Sequence, residues 1–387
     1  MRIDAPKRRR NSQCGSWDVA SARSCRTFLL LLERGARQVI EFAKGNLLGA
    51  DVEALVNTVN TVGVMGKGIA LQFKQAFPDN FEAYAKACKA HEVEPGKMFI
   101  FETRRLVNPK YIINFPTKRH WKGKSRLEDI EAGLSALIGD VRRLGIKSIA
   151  VPPLGCGHGG LRWSDVRLRI EAAFAAIESV RVLVFAPGET PAAKSMPIGT
   201  EKPKMTRARA LMLKLMEQYA EPGYPLTSLE LQKLAYFLQA AGEPLRLRFK
   251  AHHYGPYADN LNFVLQRLEG HFIRGYGDGS RKPDTELQLE PDVIETAATF
   301  LAGDPTASER LAEVARIIGG FETPYGMELL ATVHWVATHH ELAPTEDSAV
   351  QAVHSWSAKK KEMFADKHIR TAWRHLAEAG ALRLRGD

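Results

Sequence analysis

At 387 residues, with 45% hydrophobic and 25% charged residues, the chain has the composition of a globular protein and the length of two ordinary domains. That balance argues against collagen-like, disordered and membrane classes. The longest apolar stretch near the N-terminus, Phe28 to Leu32, is too short for a span or a signal-peptide core, so a cytoplasmic protein with no membrane partner is expected. The formal net charge of +10 points to an anionic partner, and because the segment after residue 200 is slightly acidic, nearly all the excess lies in the first half. A basic face that serves only solubility is the plain alternative.

Residues 1–36 open with Lys7-Arg8-Arg9-Arg10 and show no period that would bury a face, so they are expected to be a poorly ordered extension. From Arg37 the pattern changes. Strands are expected at Val39–Ala43, Ala54–Asn57, Tyr111–Phe115, Ser148–Pro152 and Arg181–Phe185, with helices at Ile69–Phe77, Leu127–Leu144 and Ser164–Ile177. This alternation predicts a mainly parallel α/β layer sandwich over residues 37–187. Residues 188–204 are rich in Pro, Gly and Lys and read as a linker. Residues 205–387 carry helical spacing at Ala208–Tyr219, Ser228–Ala241, Tyr257–Leu268, Val293–Leu301, Ala307–Ile318, Pro324–Thr338 and Ile369–Ala379, which predicts a second, mainly α-helical domain.

The four cysteines, Cys14, Cys25, Cys88 and Cys156, include no C-x-x-C pair or zinc spacing and read as free thiols. His252-His253 and His339-His340 lack a third ligand at useful spacing, so no metal is expected. The chemistry is expected in the loops beyond the carboxyl ends of the parallel strands, where open α/β sheets receive ligands. One such loop, Asn57 to Ile69, combines two asparagines with Gly63, Gly66 and Gly68 immediately before a helix, an arrangement that lets backbone N–H groups and a helix N-terminus approach an anion. Another, Pro152 to Gly160, contains Gly155, Gly157 and Gly160. These match G-x-G-x-x-G literally, yet the loop comes late in the domain and Leu161-Arg162-Trp163 precede the expected Ser164 cap, so a diphosphate cradle fits and a Rossmann unit does not.

Gly45-Asn46-Leu47, then Val56-Asn57-x-x-Asn60 with its Gly-rich loop, then Gly155-Cys156-Gly157 before a helix resemble the macrodomains over about 150 residues. More narrowly, Asn57 to Ala70 and Asn114-Phe115-Pro116-Thr117-Lys118-Arg119-His120-Trp121 resemble the DarG family of antitoxins. The resemblance implies a macrodomain three-layer α/β/α sandwich, and hydrolysis of ADP-ribose from thymidine in single-stranded DNA, which reverses a DarT-like ADP-ribosyltransferase toxin.

It also implies that Lys118 is the catalytic residue, acting at the distal ribose with no metal or cofactor. A lysine that is desolvated or set beside Arg119, His120 and Lys122 can have a lowered pKa, although a lysine in a basic run is commonly just solvated. Asn60 would meet the ribose hydroxyls, or else cap a turn. Asn46 would touch the adenine, with Leu47 beside it among the substrate-binding residues. The diphosphate would be held by Val64, Gly66, Lys67, Gly68 and Ile69 on one side and by Gly155, Cys156, Gly157, His158 and Gly159 on the other. His120 and Trp121 would contact the target nucleotide, although Trp121 could equally pack beneath its loop, and Thr117 is expected among the substrate-binding residues. Several macrodomain hydrolases place an aspartate where this chain has Gly159, which puts a lysine–aspartate pair in doubt.

Leu231 to Phe237 and His253 to Tyr257 resemble segments of a helical antitoxin domain, which in the DarG family binds the toxin. Two other functions remain open: a non-catalytic ADP-ribose reader, and a DNA-binding regulator acting through the second domain.

Overall fold

The computed structural model describes residues 40–177, 179–188, 191–220, 226–279, 286–339 and 345–382. The N-terminal extension, with Cys14 and Cys25, and His340 lie outside the described residues. Six strands form one sheet: β1 (Ile40–Ala43), β2 (Ala54–Asn60), β3 (Phe99–Glu102), β4 (Tyr111–Lys118), β5 (Ser148–Val151) and β6 (Arg181–Phe185), in the order β1-β6-β5-β2-β4-β3. All neighbours are parallel except β3, which pairs antiparallel with β4 and closes that edge.

Alternation along the strands decides what each face packs against. Val56, Ile113, Ile149 and Val182 face α3 (Leu127–Arg143) and α4 (Trp163–Phe174), whereas Leu55, Ile112, Ala150 and Leu183 face the layer that contains α1 (Gly68–Ala76). Helix α2 (Pro78–Lys89) adds Tyr84, Ala87 and Cys88 to a smaller cluster with Val59 and Met65. The three-layer arrangement expected from the sequence is present.

Two elements here escaped the sequence reading. Pro78 ends α1, but it also occupies the first turn of α2, where a missing N–H costs nothing. The other is β3: it is short and lies against β4 only, and a four-residue apolar run gives little periodic signal.

The second region is built from α5 (Arg207–Ala220), α6 (Ser228–Ala240), α7 (Leu261–Leu268), α8 (Val293–Leu301), α9 (Pro305–Ile318), α10 (Pro324–His339), α11 (Glu346–Trp356), α12 (Ala358–Met363) and α13 (Asp366–Glu378). The helix expected from Tyr257 begins only at Leu261. Before it lies a hairpin of β7 (Phe249–His252) and β8 (Gly255–Ala258), followed later by the short pair β9 (Ile273–Arg274) and β10 (Gln288–Leu289). No helix among the described residues is long and apolar enough to cross a membrane.

The stretch expected as a linker is docked. Met196 is buried, and Gly199 donates its N–H to the Gln75 carbonyl at 2.8 Å.

The two short motifs of the second region prove to be one structural unit. Gln232 exchanges both of its amide hydrogen bonds with the backbone of Ala258, at 3.2 and 3.0 Å, and the Lys233 ammonium donates to the Pro256 carbonyl at 2.8 Å. Together they fasten the hairpin onto α6.

Lys233 is almost completely buried, and burial lowers its pKa to about 7 against the opposing pull of Glu328 and Glu230; the nearby Lys360, paired with Glu328, lowers it further. A lysine that titrates near 10.4 when unfolded therefore binds fewer protons in the folded state between pH 7 and 10, so stability rises with pH across that window. Unfolding by urea at pH 7 and pH 9 should show the wild type gaining roughly 1 kcal/mol per pH unit relative to Lys233→Met. Identical pH slopes in the two proteins would show that Lys233 is not depressed.

Candidate active site

Because β1, β2, β4 and β5 are mutually aligned, the loops that follow them open on one edge of the sheet. Register brings the central pair together. Val59 pairs with Pro116, a one-residue irregularity follows, and Asn60 then pairs with Lys118. The skipped residue, Thr117, is buried with its hydroxyl 3.4 Å from the Val59 carbonyl. Thr117, expected among the substrate-binding residues, has its side chain in the sheet interior.

Lys118 reaches across to the Gly-rich loop after β5, where its ammonium donates to the His158 carbonyl at 2.5 Å. Burial pushes its pKa below the usual lysine range. The expected push from Arg119 is not the cause, since Arg119 turns away to an ion pair with Asp129 at 2.8 Å. The Arg119 carbonyl accepts from Thr61 Oγ1 at 2.6 Å, which ties the β4 loop to the β2 loop.

The loop after β2 is folded around Asn60. Its Oδ1 accepts from the Val62 and Val64 N–H groups at 3.1 and 3.3 Å, and its Nδ2 donates to the Val64 carbonyl at 2.6 Å. Of the two readings of Asn60, the turn-forming one describes this geometry, and its amide is already committed to the loop. Tyr84 secures the same residue by donating to its carbonyl at 2.5 Å. Beneath lies a buried asparagine chain: Asn57 donates to Asn114 at 2.9 Å, and Asn114 to Asn80 at 2.7 Å.

Val62 and Val64 stand exposed at the rim. Lys67 precedes α1 with extended backbone and its side chain does not cap the helix, and Gly68 (φ +60°) starts it. The Gly68 N–H donates to the Asp278 carbonyl at 2.8 Å, and Gly66 accepts from Gln266 at 3.4 Å, so the second region touches this loop directly.

The loop after β5 presents bare amides. Those of Cys156 and Gly160 close turns within the loop, while those of Gly157, His158 and Gly159 have no partner among the described residues. A Cβ on Gly159 would sit 2.2 Å from the Gly155 carbonyl oxygen and 2.3 Å from Ser125 Oγ, so only glycine fits. The His158 ring faces Gly68 at 3.7 Å from where a Cβ would stand, which sets the two loops opposite one another. Burial, with a smaller contribution from Asp165, raises the Cys156 thiol to about 11, so it stays protonated at neutral pH.

Asn46 caps a 3₁₀ turn, Leu47–Gly49, and donates from Nδ2 to the Ser195 carbonyl at 2.8 Å. Leu47, expected among the substrate-binding residues, is buried with Leu48, Val52 and Phe73. Ile69 is half-buried against the same cluster. At the other end Trp121 is 50% exposed, with the His120 ring 5.4 Å away and the Lys122 ammonium 4.9 Å from its face. It does not pack beneath the loop.

The structure thus gathers Lys118, Asn60, the 64–69 loop and the 155–159 loop at one crevice, with Asn46 and Trp121 on further loops of the same edge. Tyr84, Asn80, Asn114 and Ser125 shape it and were missed. Each reads in sequence as an ordinary helix, strand or loop residue, and only the long-range pairing gives it a role.

The sheet order, the crevice at its carboxyl edge and the two opposed Gly-rich loops define a macrodomain, and residues 56–170 match the Macro domain family. A DNA ADP-ribosyl glycohydrolase of Thermus aquaticus is 50% identical over 345 residues, 89% of this chain and 95% of that protein. A DNA ADP-ribosyl transferase–DNA ADP-ribosyl glycohydrolase fusion protein of Thermosipho africanus is 38% identical over 157 residues, 36% of this chain and 40% of the fusion. Among solved structures, the macrodomain of Mycobacterium tuberculosis DarG is 56% identical, with a TM-score of 0.38, over 38% of this chain and 98% of that one. The chain belongs to the family of DNA ADP-ribosyl glycohydrolases.

The Gly159 geometry yields a direct check. Gly159→Ala should lower stability by about 1–3 kcal/mol through overpacking against Gly155 and Ser125. An unchanged urea midpoint would mean that the loop relaxes freely.

Proposed function

We propose that the crevice binds the ADP-ribose attached to thymidine in single-stranded DNA and hydrolyses the bond to the base. The observation that carries this reading is a partly buried Lys118 at the mouth of a loop whose Gly157, His158 and Gly159 amides have no partner among the described residues. Three adjacent free N–H groups form an anion cradle suited to a diphosphate. The 64–69 loop makes the opposite wall, while Gly68 can add its own amide only by releasing Asp278.

Asn46 stands at the adenine end, where its amide would exchange Ser195 for the base. Lys118 acts at the distal ribose, attacking the anomeric carbon or assisting ring opening as the base departs. With its pKa lowered, a larger share is neutral amine near pH 8 than an exposed lysine would give, and neutral amine is the form that attacks. His120 and Trp121 lie beside it, where an exposed aromatic face suits the target nucleotide.

The helical region is assigned to capturing the cognate ADP-ribosyltransferase, a reading supported by the natural fusion of transferase and glycohydrolase in the Thermosipho relative. The protein would then be an antitoxin, acting in the cytoplasm both on the lesion and on the enzyme that makes it.

A second reading, an ADP-ribose reader without turnover, draws on the absence of a carboxylate partner for Lys118 among the described residues. Release of free ADP-ribose from thymidine-modified single-stranded DNA separates the two. Wild type should turn over, and Lys118→Ala should lose at least about 100-fold while keeping its fold and its affinity for ADP-ribose. Wild-type binding without release would establish the reader. The wild-type rate should also rise with pH and level off below the ordinary lysine pKa.

A further inference from the structure

The seam between the two regions holds a cationic cluster that neither the crevice nor the helical core uses. Leu71 of α1 is buried as part of the core of the second region, to which Leu211 and Met212 of α5 and Leu265 and Leu268 of α7 also belong, and Gln266 of α7 reaches the Gly66 carbonyl just before α1 at 3.4 Å. Lys74 lies one turn after Leu71 on that face of α1, with its ammonium 4.4 Å from the centroid of the Phe81 ring. Arg209 is in the first turn of α5, and its guanidinium donates to the backbone carbonyl of Lys204. Arg267 is on α7, next to the Gln266 that reaches Gly66.

The three charges act on one another. Burial and the Arg267 guanidinium hold both Lys74 and Arg209 below their ordinary ranges. None of the three meets a carboxylate among the described residues, and this contrasts with their surroundings. Arg207 pairs with Glu243 and Asp304, Lys214 with Glu217, Arg274 with Glu290, and Arg310 with Glu313. Like charges gathered in partly desolvated positions are unfavourable unless an anion joins them.

We propose that Lys74, Arg209 and Arg267 form a phosphodiester-binding site, which holds the DNA backbone flanking the modified nucleotide. The inference rests on the DNA glycohydrolase reading and extends it to the second region. Position favours nucleic acid. Lys74 lies about 9 Å along α1 from Gly68 at the crevice wall, a distance that a strand crosses within a few phosphates. Phe263, 64% exposed and one turn before Arg267 on α7, offers a free aromatic face on which a neighbouring base can stack.

The test compares two substrates, an ADP-ribosylated oligonucleotide and ADP-ribosylated thymidine, with wild type, Arg267→Glu and the milder Arg267→Gln. For the oligonucleotide, KM should rise about tenfold or more in Arg267→Glu and less in Arg267→Gln, kcat should hold, and the salt dependence of KM should weaken by roughly one unit of log–log slope. Turnover of ADP-ribosylated thymidine should be unchanged in both variants. An unchanged KM for the oligonucleotide overturns the proposal, as does an equal loss on the nucleoside by a folded variant, which would place the effect in the crevice. If wild type cleaves neither substrate, the glycohydrolase reading has failed separately. Fluorescence anisotropy with an unmodified single-stranded oligonucleotide then decides the site: weaker binding by Arg267→Glu supports it, and equal binding overturns it.

Discussion

The hydrogen bond from Lys118 to the His158 carbonyl joins the two halves of the crevice, and much of the macrodomain is arranged so that it can form. It needs β4 to end beside β2 with one residue skipped, so that Lys118 and not Thr117 emerges at the edge. It also needs the loop after β5 to double back tightly. That turn depends on the absent side chain at Gly159 and on the positive φ of Gly155, and it is anchored by the Ser125 N–H on the Gly159 carbonyl at 3.1 Å. The same folding-back that presents the carbonyl to Lys118 leaves the Gly157, His158 and Gly159 amides without a partner among the described residues. Lysine placement and these unpartnered amides are therefore products of one loop conformation.

The sheet was legible because its strands are apolar runs closed by Gly, Asn or Pro, and their parallel direction follows from the helices between them. The position of the chemistry was legible for a general reason, that aligned strands bring their following loops to one edge. Side-chain direction was not legible. Thr117 and Lys118 are adjacent in sequence, and only a register irregularity with β2 decides which of them faces the crevice. Asn60 suits a ribose hydroxyl and a turn equally well in chemical terms, and the three bonds it makes within 60–64 depend on where Tyr84 and the strand end hold its backbone. Leu47 carried no polar signal at all, and its burial follows from the 3₁₀ turn that Asn46 caps.

In the second region, helix periodicity located the long elements but mistook the hairpin at 249–258 for the approach to a helix. Its strands are four residues each, and a short apolar run does not separate strand from helix. What fixes the hairpin is non-local: the Gln232 amide and the Lys233 ammonium replace ladder partners that β8 lacks on its far side. Residues 188–204 were expected as a linker from their proline, glycine and lysine, and composition did not show where it is held: the amide of Gly199 and the carbonyl of Ser195 are bound to Gln75 and Asn46 of the macrodomain. Such contacts hold the second region against the Gly66–Gly68 loop, so the crevice is bordered by both parts of the chain.

The substitution of glycine for an acidic residue in the loop after β5 has an electrostatic consequence for the lysine. A carboxylate within a few ångströms would stabilise the ammonium and raise its pKa, against the lowering caused by burial. At position 159 that route is closed by geometry, since the first side-chain atom would already collide with Gly155 and Ser125. Of the acids that follow Lys118 along the chain, Asp129 is held by Arg119. What remains beside the ammonium is a neutral carbonyl, which accepts a hydrogen bond without contributing a full opposing charge. Burial therefore acts on Lys118 without an acidic counterweight, and the amine becomes easier to deprotonate than in a lysine–aspartate pair. In the proposed reaction it is this partial burial, and not an acidic partner, that would make the amine reactive.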